Sequence, residues 1–536
     1  MAKKKSEKPV VPVPDSRDWT DWAAKKAGLL AILLVLIATL RIAGTYWVFN
    51  HTIDEPAHIA CGMEWLSKGT YGLEAQHPPL ARVMTAIGPY LDGARSAGRD
   101  GIYNEGAAIL YTDNHYDTRL ALARAGVLPF FWLACFVIFH WGSRCSNSLG
   151  GLLTLLVFTN TPTVLAHAGL ATTDMALTAG LAATLFQFLI WIDQPSWRNT
   201  ILLGASAAIA VLSKLTALPF FPACVGAALL FYVIRAKPPA AIFAAKAKML
   251  ALPALVSLLL FSAFVWAGFR FSFNGVPAPE FFEGLKQVLN HNASGHPSYL
   301  LGTFSDSGFW YYYPAALFFK TPVPILILAV LGFAWRGSSA VWIPAAFAAG
   351  LLFFTAFSRI NIGTRHVLPI FVFMALLAGY ASMKMLTGHV KWMRIANAAL
   401  LAWIAISTAA SHPDYLPYFN FFAGDKPQDI LVDSDLDWGQ DMKRLGAKLQ
   451  DVGASYVSFN PFIVAHLERV HGFPRILESD PENPTPGWNA VSLTVLKLDR
   501  LGLGREHPEI IPWPDRLKPN ATVGKGVLLY FIPGGK

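Results

Sequence analysis

Long apolar runs alternate with short polar breaks between residues 27 and 411, and the pattern then changes. The runs cover about 27–49, 120–141, 149–168, 174–193, 200–213, 215–234, 249–268, 313–335, 340–357, 365–386 and 393–411. A membrane span needs about 20 mainly apolar residues. The pattern therefore predicts an α-helical polytopic membrane protein with eleven transmembrane helices. The fifth run is short, and only Ser213-Lys214 separates it from the sixth. If that pair were a single re-entrant element, every later loop would change sides. From His412 onward the chain is polar. Residues 430–432 and 456–459 read as short strands with a helix over about 438–449 between them, and 489–498 and 527–532 read as further strands. Residues 412–536 are thus expected to form a small α/β domain. No internal repeat is visible.

Composition agrees with a bilayer. Of 536 residues, 54% are hydrophobic and 14% charged, where a soluble protein carries roughly 25% charged. The net charge of +9 matters less than where it sits. With the basic tail 1–26 (Lys3, Lys4, Lys5, Lys8, Lys25, Lys26) in the cytoplasm, the cytoplasmic loops carry Arg144, Arg198, Arg235, Lys237, Lys246, Lys248, Arg336, Lys384, Lys391 and Arg394. The 50–119 loop, the Thr172-Thr173-Asp174 turn, the 269–312 loop, the 358–366 turn and the C-terminal domain then fall outside. This alternation fits the positive-inside rule for an odd number of spans. No basic stripe with interleaved aromatics suggests nucleic acid. Of the four cysteines only Cys61 falls in an external loop, so no disulfide framework is expected. The tail is too long and polar for a signal peptide, and no small-residue cleavage site closes the first run, which is read as a retained span.

The most polar stretch of the apolar half follows that first span: NHTIDEPAHIACGMEWLSKGTYGLEAQHPPL, residues 50–80. Thr52 with Glu55 fits a capping box and Pro56 a first helical turn, predicting a helix to about Ser67 that stops near Gly69. Asp54 would sit at its N-terminus, where the helix dipole favours the ionised form, with His58 one turn on. A second helix is predicted from Pro78, with His77 beside its start. Its Leu80, Val83, Met84, Ile87 and Leu91 recur at helical spacing, as suits a helix lying in the membrane interface. Capping alone would explain Asp54-Glu55, and a rigid turn would explain His77-Pro78-Pro79. Acids at a membrane boundary beside other polar groups usually serve a site, however.

The order of a first span, Asp-Glu, a helix and His-Pro-Pro-Leu resembles the protein O-mannosyltransferase and aminoarabinose-transferase group of the C-type glycosyltransferase superfold. Four further pieces match: Leu165 to Asp174 an acidic motif of the second external loop, Ser213-Lys214 a basic span boundary, Phe319-Lys320-Thr321-Pro322 a Lys-Thr-Pro motif, and Thr364-Arg365-His366-Val367-Leu368-Pro369 a late-span motif. His412 to Tyr415 and Leu431 to Asp441 are similar to uncharacterised bacterial members. The resemblance covers most of the chain and implies a bacterial inner-membrane enzyme using a polyprenyl-phosphate sugar, with Asp54 as the catalytic acid. One departure stands out: the group would place an acid directly before His-Pro-Pro-Leu, and this chain has Gln76.

Such a donor requires cations for the leaving phosphate, a base for the acceptor hydroxyl and a groove for the lipid. Lys214, Lys320, Arg359, Arg365 and His366 are the external-side candidates for the first, although Lys320 and Arg359 also fit snorkelling span ends. Arginine can take phosphate through two parallel hydrogen bonds. Asp54 is the expected general base, removing the acceptor proton during inverting attack, with Glu55, His58 and Asp174 orienting it or the acceptor. Glu74 and His77 are candidate ligands for a divalent metal, two being few for a site. Asp433, Asp435 and Asp437 alternate like a calcium loop but lack the required glycine, leaving a strand end and helix cap, or acceptor recognition, as readings. The other classes are a secondary transporter or flippase, against which stand the long first loop, the appended domain and the lack of repeat symmetry, and an assembly scaffold. By resemblance the sugar is mannose, with aminoarabinose, galacturonic acid, glucose and rhamnose open. The acceptor is a protein Ser or Thr, lipid A or another glycolipid.

Overall fold

The computed structural model describes residues 18–335, 338–480, 482–498 and 511–534. The expected cytoplasmic charges Lys3, Lys4, Lys5, Lys8 and Arg336 lie outside them. Six described helices are long and apolar enough to cross a membrane: Tyr116–Cys145, Asp174–Asp193, Ala217–Ala236, Ala240–Gly268, Ile370–Thr387 and Lys391–Ala410. Two bent pairs, Ser148–Thr159 with Pro162–Ala168 (72°) and Tyr312–Lys320 with Val323–Ala334 (118°), raise the number to eight if each is one span. Ala27–Ala43, Ser339–Thr355 and Trp197–Ser213, of 17 residues each, are shorter. Each of the eleven expected stretches thus holds a helix or a bent pair, but six to eight, not eleven, have the length of a span.

The bends have a local cause. Proline cannot donate a backbone N–H and pushes the preceding residue out of the helical region. Thr161 (φ −101°, ψ 112°) and Thr321 (φ −97°, ψ 134°), each before a proline, are both extended. Lys214 is also extended (φ −159°, ψ 131°), so the fifth and sixth expected spans are two helices meeting at that residue.

Helix Ile370–Thr387 lies at the centre of the bundle, with 78% of its apolar window buried. Around it Phe131, Trp141, Phe158, Phe347 and Phe373 form one core. Ala240–Gly268 and Lys391–Ala410 are buried over only 11% and 17% of their windows. Their exposed faces, Leu255, Leu258, Leu259, Ile395, Trp403 and Ile406 among them, are apolar and suited to lipid.

The C-terminal domain is a five-stranded mixed sheet in the spatial order Arg475–Leu477, Tyr456–Ser458, Gly487–Ser492, Val527–Ile532, Ala521–Val523. The first three strands run parallel and the last two pairings are antiparallel. Helix Met442–Asp451 lays Met442, Leu445 and Leu449 on Val457, Val527 and Leu529. Residues 430–432, expected as a strand, are not one. Ile430 and Leu431 instead join the same core as the spans. The strand expected over 489–498 ends at Ser492, and 493–498 turn helical. Strands 475–477 and 521–523 were not anticipated.

Candidate functional site

Two helices of the loop after the first apolar helix, Glu55–Lys68 and Pro79–Leu91, position the site. The first ends at Gly69, whose φ of +72° only glycine adopts readily. They pack backbone to backbone: a Cβ on Gly62 would lie 2.0 Å from the Arg82 carbonyl oxygen. That contact brings the buried Arg82 under the first helix. Its Nε donates to His58 Nδ1 (3.1 Å), its Nη1 to the Glu74 carbonyl (2.8 Å) and the His77 carbonyl (3.2 Å), and its Nη2 pairs with the Glu74 carboxylate. The apolar set Leu80, Val83, Met84 and Ile87 stays half-exposed and Leu91 is exposed, the face expected for an interfacial helix.

Asp54, at the head of the first helix, is reached by a late span. Arg365 Nη1 donates to Asp54 Oδ2 at 2.8 Å and lies 4.0 Å from Asp174 Oδ2. Lys214 Nζ donates to Asp174 Oδ1 at 2.6 Å. Four charges from four separate segments therefore alternate in sign: Asp54, Arg365, Asp174, Lys214. Asp174 is fully buried, while the Asp54 side chain keeps 23% exposure, which makes Asp54 the carboxylate a substrate can reach.

The row borders a cavity of about 830 Å³. One part of its wall is polar, with Asp54, His58, Gln76, His77, Lys214, Arg365 and His366; another is apolar, with Leu215, Leu218, Leu285, Val288, Phe354 and Phe357. Several buried polar atoms around it have no hydrogen-bond partner: Arg365 Nε, His366 Nε2, His77 Nδ1, Thr216 Oγ1 and Asp174 Oδ2. Orphaned buried polar atoms are costly. Clustered around an open cavity, they are groups a polar ligand would satisfy.

Comparison with known proteins finds a matching family profile and solved structures of similar fold. Residues 123–266 match the family profile described as dolichyl-phosphate-mannose-protein mannosyltransferase. ArnT from Cupriavidus metallidurans bound to undecaprenyl phosphate superposes with a TM-score of 0.51 at 14% identity, covering 97% of this chain and 100% of that one. Its apo state gives 0.50 with the same identity and coverage. The chain has the C-type membrane glycosyltransferase fold. No curated protein matches it by sequence.

Within that fold the expected site residues separate into two groups. Asp54, His58, Glu74, His77, Lys214, Arg365 and His366 line the cavity, and Asp174 stands behind Lys214 and Arg365. Glu55, Lys320 and Arg359 do not line it. Glu55 is fully buried, and its carboxylate takes Arg124 Nε (2.8 Å), Arg124 Nη2 (2.9 Å), the Ala171 N–H (2.9 Å) and the Thr52 N–H (2.8 Å). It is a brace, not a reacting group. The capping box is accordingly half-formed: Glu55 caps Thr52, but the helix starts at Glu55 and no side chain caps it in return. Lys320 is spent on the carbonyls of Leu416 (2.7 Å) and Asp435 (2.5 Å). Arg359 is exposed and tied to the Ala293 carbonyl (3.2 Å). Glu74 is committed to Arg82, and no group of three metal-ligating side chains occurs among the described residues.

Burial, reinforced by Arg82, holds the His58 and His77 imidazoles well below their ordinary pKa, so both are neutral. The sequence reading missed Arg82, Arg124, Tyr103, His291, His296 and Trp438. An arginine inside an apolar helical pattern needs a partner, and that signal would have flagged Arg82 and Arg124. Asp433 also faces the site: burial pushes it up to about 6, while Arg365 and His296 pull it down and Asp54 adds to the rise.

Proposed function

We propose that this protein is an inverting membrane glycosyltransferase that moves a sugar, mannose or a similar hexose, from a polyprenyl phosphate to a hydroxyl on a protein or glycolipid at the external face of a bacterial inner membrane. The observation that carries the reading is the charge row Asp54–Arg365–Asp174–Lys214 bordering a cavity that also has an apolar wall of Leu215, Leu218, Leu285, Val288, Phe354 and Phe357. A lipid-linked phosphate needs cations and a greasy channel side by side. The ligand bound in the ArnT structure, undecaprenyl phosphate, is of that class.

On this reading the donor phosphate docks on Lys214 and Arg365, taking up the free Arg365 Nε and His366 Nε2. The phosphate then shares the guanidinium with Asp54, whose Oδ2 accepts from Nη1. The acceptor oxygen attacks the anomeric carbon opposite the phosphate. The new C–O bond forms as the C–O bond to phosphate breaks, the proton passes to Asp54, and the leaving charge develops against the two cations. Fixed charges aimed at a developing oxyanion usually supply the largest catalytic contribution, and a positioned base adds ~10²–10⁴-fold. His58 and His77, being neutral, can hydrogen-bond sugar hydroxyls without adding charge.

The test uses purified protein in detergent with radiolabelled polyprenyl-phosphate sugar. Release of free polyprenyl phosphate with label entering an acceptor is expected, and Asp54→Asn should abolish it in a folded protein. Wild-type turnover by that variant would remove Asp54 from its role. Transmembrane movement of label without covalent transfer would establish a transporter instead.

A further inference from the structure

One stretch of the C-terminal region touches both halves of the Asp54–Arg365 pair. On the Arg365 side, Ser434 bonds Ile362, Asp435 bonds Thr364, and Gly363 between them packs closely against Ser434. The Ser434 hydroxyl donates to the Ile362 carbonyl. Gly363, at φ +127°, passes so close that a Cβ there would lie 2.1 Å from Ser434 Oγ. The Asp435 carboxylate accepts the Thr364 N–H (3.1 Å) and the Thr364 hydroxyl (2.6 Å). Lys320, buried below, donates to the Asp435 carbonyl and fixes the turn to the bent span.

On the Asp54 side the lacing is as dense. The Ile53 N–H donates to the Trp438 carbonyl (3.2 Å). Asn50 donates to the Gly439 carbonyl (2.7 Å) and accepts the Met442 N–H (2.6 Å). Between these anchors the Trp438 ring, 1% exposed, lies under the Arg365 guanidinium with its centroid 4.4 Å from Cζ. The guanidinium is therefore fixed by one hydrogen bond to Asp54 and one aromatic face. Its Nε has no partner.

We infer that Trp438 is a positioning residue for the donor phosphate: it holds Arg365 flat, with its free Nε available, so that the C-terminal region is part of the phosphate site and not an appendage. This rests on the donor reading above. Stacking on an aromatic face fixes a guanidinium plane while leaving its in-plane N–H groups for an anion. A bare lysine would need no such support, and Lys214 is held by Asp174 alone.

The experiment measures binding of undecaprenyl phosphate to purified full-length protein in detergent, with thermal unfolding checked in parallel. Trp438→Leu should weaken binding by about 10–30-fold, the equivalent of a desolvated cation–π contact, whereas Trp438→Phe, which keeps a ring, should lose less than about 3-fold. In an Arg365→Ala background the loss from Trp438→Leu should vanish, which a merely structural tryptophan would not produce. Unchanged binding by a folded Trp438→Leu protein, or an equal loss with and without Arg365, overturns the inference alone. If the wild-type protein does not bind the lipid phosphate, the donor reading fails and this inference with it.

Discussion

Glu55 and Asp54 are neighbours in sequence, yet only Asp54 lines the cavity while Glu55 is fully buried, and Glu55→Gln separates the two. Each Glu55 oxygen accepts one bond from Arg124 and one from a backbone N–H, at 2.8–2.9 Å. A glutamine keeps only one acceptor oxygen. Whichever way its amide turns, an NH2 group faces an arginine donor and a backbone donor at full burial. Breaking a buried ion pair by removing one partner costs about 3–5 kcal/mol. Thermal unfolding in detergent should therefore show a large loss for Glu55→Gln, while transfer per folded molecule falls far less than in Asp54→Asn. The double variant Glu55→Gln with Arg124→Met should recover part of the loss, since no charge is then left stranded. Acid should act in the same direction as the single substitution. Burial pushes Glu55 up, but Arg124 and the N–H groups outweigh it and hold its pKa below the ordinary value. Its contribution is thus present above an unfolded pKa of about 4.3 and is lost as pH falls through the folded value. A Glu55→Gln protein of wild-type stability that has lost turnover would refute the reasoning and return Glu55 to the reacting groups.

Three further outcomes can be measured. Lys214→Met should weaken undecaprenyl phosphate binding by at least about 30-fold, because truncating one partner of a desolvated charge pair, here the cation proposed to face the phosphate, costs ~2–5 kcal/mol, and it also takes from Asp174 the Lys214 hydrogen bond; equilibrium binding reads the loss directly. Gly62→Ala should destabilise the loop by about 1–3 kcal/mol, since its Cβ meets the Arg82 backbone, and it should show as a lower unfolding midpoint. His51, bonded to Tyr116 (2.8 Å) and to the Val464 carbonyl (3.2 Å), and His471, bonded to Tyr111 (2.7 Å), join the first loop to the C-terminal domain. Burial holds them near 3 and 4, so between those values and about 6.5 the unfolded chain binds more protons. Stability should fall as pH drops through that window, and His51→Gln should flatten the slope of unfolding midpoint against pH.

What could be read from the sequence was local. The stop at Gly69, the strand at 527–532 and the placing of the apolar stretches follow from periodicity and glycine chemistry, which neighbours in sequence decide. What could not be read depends on partners far along the chain. Glu55 is fixed by Arg124, 69 residues away, and Lys320 by Asp435, 115 residues away. An acid beside Asp54 and a lysine before Thr-Pro therefore carried the wrong expectation. The apolar run 430–432 was read as a strand because burial on all sides gives strands and buried coil the same composition. The bend of 118° at Thr321-Pro322 was written in the proline, but its angle is set by what packs around it.

The alternation of charge at the cavity bears on the chemistry as well as on the fold. Empty, the row Asp54–Arg365–Asp174–Lys214 sums to zero. A sugar phosphodiester brings one negative charge, which Arg365 and Lys214 face. On the proposed mechanism the acceptor gives its proton to Asp54 during transfer, so one negative charge leaves the carboxylate as another develops on the phosphate. The total does not change; the charge only moves past Arg365, which contacts Asp54 at 2.8 Å and, on the proposed docking, the phosphate as well. At an effective dielectric of about 20, two unit charges 4 Å apart interact by ~4 kcal/mol, so creating net charge in this enclosure would be costly. An arginine shared by base and leaving group avoids that, because the interaction it loses on one side it regains on the other. Asp174 keeps Lys214 in place throughout, which accounts for a fully buried carboxylate behind the two cations.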